Sequence, residues 1–222
     1  MSSAISEKSL CVATATYFSS HGYYVSRNLE VQGLSPIDIV AIMPRLSDLK
    51  KRVKSKHFVS PAILHILINR GWISTEEIVE ETGFDFNFVN SALEDMYKDG
   101  WISRKKENDT VYWINKEYRV PSKDCIMAHC RYRDSIEFLE TLSDFDGCYN
   151  KIYVVFPFPV DEKFIDLCAE KGVGILLFYE KAGYFKELLP SEIQEVTNLK
   201  VYASISEIII KENFMYRSID SI

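Results

Sequence analysis

The chain has no Cys-x-x-Cys pair, no apolar run approaching the roughly 20 residues that cross a bilayer, no phosphate-cradling glycine loop and no nucleophile elbow. These absences argue in turn against a disulfide framework, a membrane span, a nucleotide-binding fingerprint and an α/β-hydrolase serine. Gly172-Val-Gly174 lies just before an apolar stretch and is read as a turn. Internal repeats and low-complexity segments are missing too, and the first residues carry no basic flank leading into an apolar block. The expectation is a soluble, intracellular protein of the cytoplasm. Five cysteines, Cys11, Cys125, Cys130, Cys148 and Cys168, are an odd number set mostly in apolar runs, and are expected as reduced core residues.

What is present is the composition of a globular protein: 222 residues, 47% hydrophobic and 26% charged, enough for one sizeable core or two small ones. A formal charge of −6 argues against a chain that coats nucleic acid indiscriminately, although a net value hides local patches.

Residues 4 to 21 have the spacing of an amphipathic helix, stopped by Gly22. Tyr23 to Val31 and Ile37 to Met43 read as strands joined by a Gly- and Pro-containing turn. A basic run follows, with Arg45, Lys50, Lys51, Arg52, Lys54 and Lys56 opposed only by Asp48, and residues 44–57 are read as a linker. Helices are then expected over Pro61 to Asn69, Thr75 to Glu81 (capped by Ser74) and Phe86 to Lys98. Two short strands, Trp101-Ile-Ser-Arg and Val111-Tyr-Trp-Ile, flank a polar tip. Strands and helices alternate from Asp124: strands at Cys125 to Arg131, Lys151 to Phe156 and Gly174 to Tyr179, helices at Asp134 to Leu142 and Asp161 to Lys171. Such alternation implies a parallel or mixed sheet covered on both faces. The first helix and hairpin are too small to stand alone, so residues 1–43 and 124–222 are expected to form one discontinuous α/β domain.

Three helices and a wing, with Glu-Glu-Thr-Gly-Phe-Asp between the second and third helices and Asp-Gly-Trp-Ile-Ser-Arg before the wing, resemble winged helix-turn-helix domains over about residues 58–120. Winged helices commonly place the third helix in the major groove, where Asn87, Asn90, Ser91 and Lys98 would offer contacts. Val59 to Asp99, however, carries eight acidic residues against two basic, a balance of −6 that repels phosphates. The cations of 45–56 and of the wing, Arg104, Lys105 and Lys106, are the better phosphate-contacting set. A protein-interaction role for the helices is the competing reading. Trp72, Phe84, Phe88, Trp101 and Trp113 are expected in the small domain's core.

One polar residue stands out in the α/β part. Asp38, in Pro36-Ile-Asp-Ile-Val-Ala41, places a carboxylate among β-branched residues, which costs free energy unless a metal or basic group pairs with it. Helix, strand, Pro-Ile-Asp strand, strand, helix, strand resembles the restriction-endonuclease-like, or PD-(D/E)xK, nuclease superfamily, archaeal Holliday junction resolvases among it. That resemblance implies a mixed sheet flanked by helices, Mg or Mn held by Asp38 and a first-helix glutamate, here Glu7, and a Glu-x-Lys on the third strand. The positions of that last pair are His129 and Arg131.

An imidazole in place of a carboxylate removes charge and disfavours magnesium, and arginine is a poor proton acceptor. Three readings follow: a degenerate nuclease fold that binds DNA or structured nucleic acid without cutting it, an active metal-dependent endonuclease whose second carboxylate has moved to Asp134 or Glu137, or an Asp38–Arg131 pair that simply stabilises the sheet. In the cleaving case Asp38, with Glu7 or Glu137, would hold the metal and Arg131 would stabilise the phosphorane. His129 and Cys130 cannot converge on one ion, since successive strand residues face opposite ways. A different class also fits: a non-catalytic winged-helix transcriptional regulator or assembly factor that forms a homodimer through Leu176-Leu177-Phe178 or Ile208-Ile209-Ile210.

Overall fold

The computed structural model describes residues 5–31, 33–55, 57 and 59–215. The chain forms two compact units, one from Met1–Pro44 with Ser122–Asn198 and one from Arg45–Pro121 with Leu199–Ile222.

In the first unit, α1 (Glu7–Ser20) starts at Ser6, whose hydroxyl accepts the Ser9 amide, and ends before Gly22 at φ 85°. β1 (Tyr24–Leu29) and β2 (Ile37–Pro44) form the expected antiparallel hairpin. β2 then pairs antiparallel with β6 (Ser122–Cys130), and β7 (Lys151–Phe156) and β8 (Gly174–Tyr179) add on in parallel. Helices α6 (Ile136–Thr141) and α7 (Glu162–Glu170) make the crossovers. An antiparallel β9 (Tyr184–Leu189), not expected from the sequence, completes a six-stranded mixed sheet in the order β1-β2-β6-β7-β8-β9.

Strand alternation divides the core. Ile39 and Ala41 of β2, Ile126, Ala128 and Cys130 of β6, and Tyr153 and Val155 of β7 pack with Leu10, Cys11 and Phe18 of α1. The intervening residues face the other way, where Phe156 meets Phe164 of α7. Gly172 and Gly174 do form a turn and strand start: Gly172 has φ 68°, and a Cβ on Gly174 would lie 2.4 Å from the Tyr153 ring.

The second unit has α2 (Leu46–Lys54), α3 (Pro61–Asn69), β3 (Ile73–Ser74), α4 (Thr75–Thr82), α5 (Phe86–Lys98), β4 (Ile102–Glu107), β5 (Thr110–Asn115) and α8 (Leu199–Ile210). A reciprocal capping box joins Ser74 and Glu77, Gly83 ends α4 in the left-handed region, and Asp85 caps α5. Asn108 and Asp109 both take positive φ, which matches the tight two-residue hairpin between Glu107 and Thr110. The short β3 turns the wing into a three-stranded sheet, β3-β5-β4, behind a core of Ile63, Leu67, Ile78, Leu93, Met96 and Trp113. This is a winged helix-turn-helix arrangement interrupting the α/β unit.

Several expectations need correction. Residues 44–57 are not a bare linker: Leu49 and Arg52, one helical turn apart, are both buried and hold 46–54 as α2. Residues 199–210 form a helix of the second unit, not of the α/β domain, because α8 lays its apolar face on α3. Of the segments named for a homodimer, Leu176, Leu177, Ile209 and Ile210 are buried within their own units, and Phe178 and Ile208 are partly exposed. Trp101 and Trp113 are buried as expected, but Trp72, Phe84 and Phe88 are exposed. All five cysteines are free and buried. No helix among the described residues is long and apolar enough to cross a membrane.

Candidate functional site

Ile39 is level with Ala128 across the antiparallel pair, which sets Asp38 beside His129 at the end of the sheet. Asp38 Oδ2 accepts hydrogen bonds from Arg131 Nη1 at 2.8 Å and from the Cys130 amide at 2.9 Å. Arg131 also donates to the Cys130 carbonyl, and its guanidinium lies 3.9 Å from the centroid of Phe138 on α6. Of the metal or basic group expected beside Asp38, the structure supplies Arg131, fixed by stacking and by backbone.

His129 occupies the carboxylate position without carboxylate behaviour. Its ring is 1% exposed and lies 5.4 Å from Phe138 and 5.3 Å from Phe145, and neither nitrogen has a hydrogen-bond partner. Burial pushes its pKa down to about 4, against an opposing pull from Asp38, whose Oδ2 is 3.9 Å from Nδ1. The imidazole is neutral at pH 7 and serves as an aromatic filler.

The carboxylates proposed to join Asp38 are all exposed. Glu7 is exposed at the start of α1, and it and Asp38 both act electrostatically on Cys11 of that helix. Glu137 is exposed and accepts from Ser135 Oγ at 2.6 Å, which lowers its pKa. Asp134 is exposed in the turn before α6. Among the described residues no three His, Cys, Asp or Glu side chains gather as a metal site. The residues beside Asp38 do not fit Mg or Mn: the carboxylate is engaged by the Arg131 guanidinium, and its neighbour His129 is an unprotonated imidazole in an aromatic pocket.

Because His129 is neutral in the fold and would take up a proton in the unfolded chain near its ordinary 6.5, it contributes stability above that pH that is lost as pH falls toward 4. The expected loss is about 3 kcal/mol. Urea titrations across this range should show a shallower acid limb for His129→Leu than for the parent; equal slopes would mean that His129 charges freely.

The cations of the second unit sort into three groups. Arg52 is buried and ion-paired with Glu207 at 2.7 Å, so it is removed from any phosphate-contacting surface. The wing cations are each engaged: Arg104 with Glu94 at 2.7 Å and over the Tyr97 ring, Lys105 with Glu107 at 2.9 Å and over Trp72, Lys106 with Asp109 at 2.9 Å. Lys50, Lys51 and Lys54 are exposed on α2, and Lys51 reaches Glu117 at 3.2 Å. Lys56 lies outside the described residues.

That Lys51–Glu117 bridge, with the Arg45 amide and guanidinium bonded to the carbonyls of Pro121 and Val120, ties the segment after β5 to α2. Two exposed cations, Lys116 and Arg119, lie on that tied segment, so the cationic band of Lys50, Lys51, Lys54 and this segment also carries an acid, Glu117, already engaged by Lys51. They are separated in sequence from the basic run and gave no signal there; the contacts of Glu117, Val120 and Pro121 tie their segment, the 116–121 strap, to Lys51 and Arg45.

Residues 51–135 match the family model described as the TFIIE alpha subunit. The matched stretch runs from α2 through the wing and along β6 as far as Ser135, so it contains most of the cationic band as well as His129 and Arg131. It is well under half of the chain, and no curated protein matches.

Proposed function

We propose that this protein is a non-cleaving, transcription-associated factor that contacts DNA or structured nucleic acid through its winged-helix unit. The observation that carries this reading is the cationic band of α2 and the 116–121 strap, lying largely within the stretch similar to the TFIIE alpha subunit. Such a band neutralises phosphates without reading bases, so it supplies affinity and salt dependence more than sequence preference. The α/β unit is read as a restriction-endonuclease-like scaffold in non-catalytic use. Support comes from its helix-strand-strand-strand-helix-strand order and from Arg131 engaging Asp38 where a metal would be needed.

The test is binding of fluorescent duplex and mismatched-bubble DNA by anisotropy between about 50 and 200 mM salt. Lys50→Ala/Lys54→Ala/Arg119→Ala should flatten the plot of log affinity against log salt by about 0.9 per lost phosphate contact. An unchanged slope would remove the band from the interface. Cleavage of either DNA in magnesium or manganese, abolished by Asp38→Ala, would reinstate the nuclease reading.

A further inference from the structure

The corner between α4 and α5 exposes what a small domain ordinarily hides. Phe84, Phe86 and Phe88, three aromatics within five residues, are 38%, 46% and 46% exposed. Phe84 and Phe88 hold each other edge to face at 5.4 Å, on a turn fixed at both ends by the Gly83 and Asp85 caps. The patch is thus rigid before any partner arrives, which lowers the entropic cost of binding. Apolar surface presented this way on a capped corner marks an interaction site more often than scattered single exposures do.

Its surroundings are acidic. Glu76 and Glu80 lie one turn apart on the exposed side of α4, Asp85 is in the corner itself, and Arg70, the one arginine or lysine between Val59 and Tyr97, is already paired with Glu81 at 2.6 Å. The contrast with the other exposed aromatics of this unit is informative. Trp72 and Tyr97 each lie under a wing cation, Lys105 and Arg104, whereas among the described residues no lysine or arginine lies over Phe84, Phe86 or Phe88.

We propose that this corner docks a cationic, amphipathic segment of a second protein, whose apolar side chains pack on the phenylalanines and whose lysines or arginines meet Glu76, Glu80, Asp85 and the ring faces. Nucleic acid and anionic lipid are disfavoured because both bring negative charge to a segment whose balance is already −6. The end of the third helix that a winged helix usually offers to the major groove here recognises protein. These residues are distinct from the cationic band, so either surface can fail its test without affecting the other.

The experiment is a ¹⁵N-resolved NMR titration of the full chain with a synthetic helical peptide carrying leucines on one face and lysines on the other. A Leu/Glu peptide and a short duplex DNA are titrated in parallel. Shifts confined to residues 76–91 are expected with the Leu/Lys peptide alone. Phe86→Ser/Phe88→Ser should weaken that binding at least tenfold, and Glu76→Gln/Glu80→Gln, which leaves the aromatics intact, should weaken it several-fold and remove its salt dependence. Absence of shifts, equal shifts with the Leu/Glu peptide, or larger shifts at 84–91 with DNA would overturn the proposal. So would concentration-dependent shifts at 84–91 in the chain alone, which would make a second copy the occupant.

Discussion

Arg52→Ala is expected to destabilise the winged-helix unit by about 3–5 kcal/mol, the cost of leaving a buried carboxylate unpaired. Arg52 and Glu207 are 2% and 6% exposed, and the guanidinium meets the carboxylate through Nε at 3.0 and 2.8 Å and through Nη2 at 2.7 Å. Tyr118 donates to the same carboxylate at 2.5 Å, and burial together with that carboxylate holds its phenol well above its ordinary range. Removing the arginine therefore strands a charge and loosens both α2 and α8. All three tryptophans, Trp72, Trp101 and Trp113, belong to this unit, and the Trp101 ring lies 5.4 Å from Tyr118. Urea denaturation followed by tryptophan fluorescence thus reports the loss directly. The apolar replacement Arg52→Met/Glu207→Met/Tyr118→Phe should recover most of it, because replacing every member leaves no polar group unsatisfied. A loss below about 1 kcal/mol for Arg52→Ala would show the pair to be solvated, not structural.

His129→Glu/Arg131→Lys, which sets at 129 and 131 the Glu-x-Lys of the nucleases that the sequence resembles, is expected to yield an unstable protein without cleavage activity. The new carboxylate would enter the space between Phe138 and Phe145, where neither His129 nitrogen finds a partner now, beside Asp38. Burial and a like charge both raise a carboxyl pKa. With an ordinary value near 4.3, a glutamate forced neutral in the fold costs about 3–4 kcal/mol at pH 7. The folded pKa is then above the unfolded one, so the penalty is present at neutral pH and disappears as pH falls below about 4. Thermal melts at pH 4 and pH 7 check this sign. A stable double variant that cuts DNA in magnesium would mean that only those two residues separate the protein from a nuclease.

Both results bear on how the resemblance of Pro36 to Ala41 should be understood. The local pattern was informative about the scaffold: the hairpin and the spans Lys151–Phe156 and Gly174–Tyr179 follow from apolar runs bounded by turn residues, and the strand expected at Cys125 to Arg131 is found at Ser122–Cys130. It was less informative about chemistry. Alternation already separates Asp38 from Ile39 and Ala41, but which sheet face α1 covers is a matter of packing. The basic run misled for a related reason. Charge alone cannot tell a solvated lysine from an arginine whose partner lies 155 residues further along the chain.

What the sequence determined by itself is what short-range physics fixes: the helices of the inserted unit, a polar tip between two wing strands, and a carboxylate in an apolar strand that needed a metal or basic partner. Tertiary structure decided the rest. It chose Arg131 as that partner, turned Arg52 inward, tied the segment carrying Lys116 and Arg119 to Arg45 and Lys51, and left Phe84, Phe86 and Phe88 exposed. Each of these depends on which distant surface comes to cover a side chain, and burial of that kind is set by the packing of whole elements, not by the residues next to it in the chain.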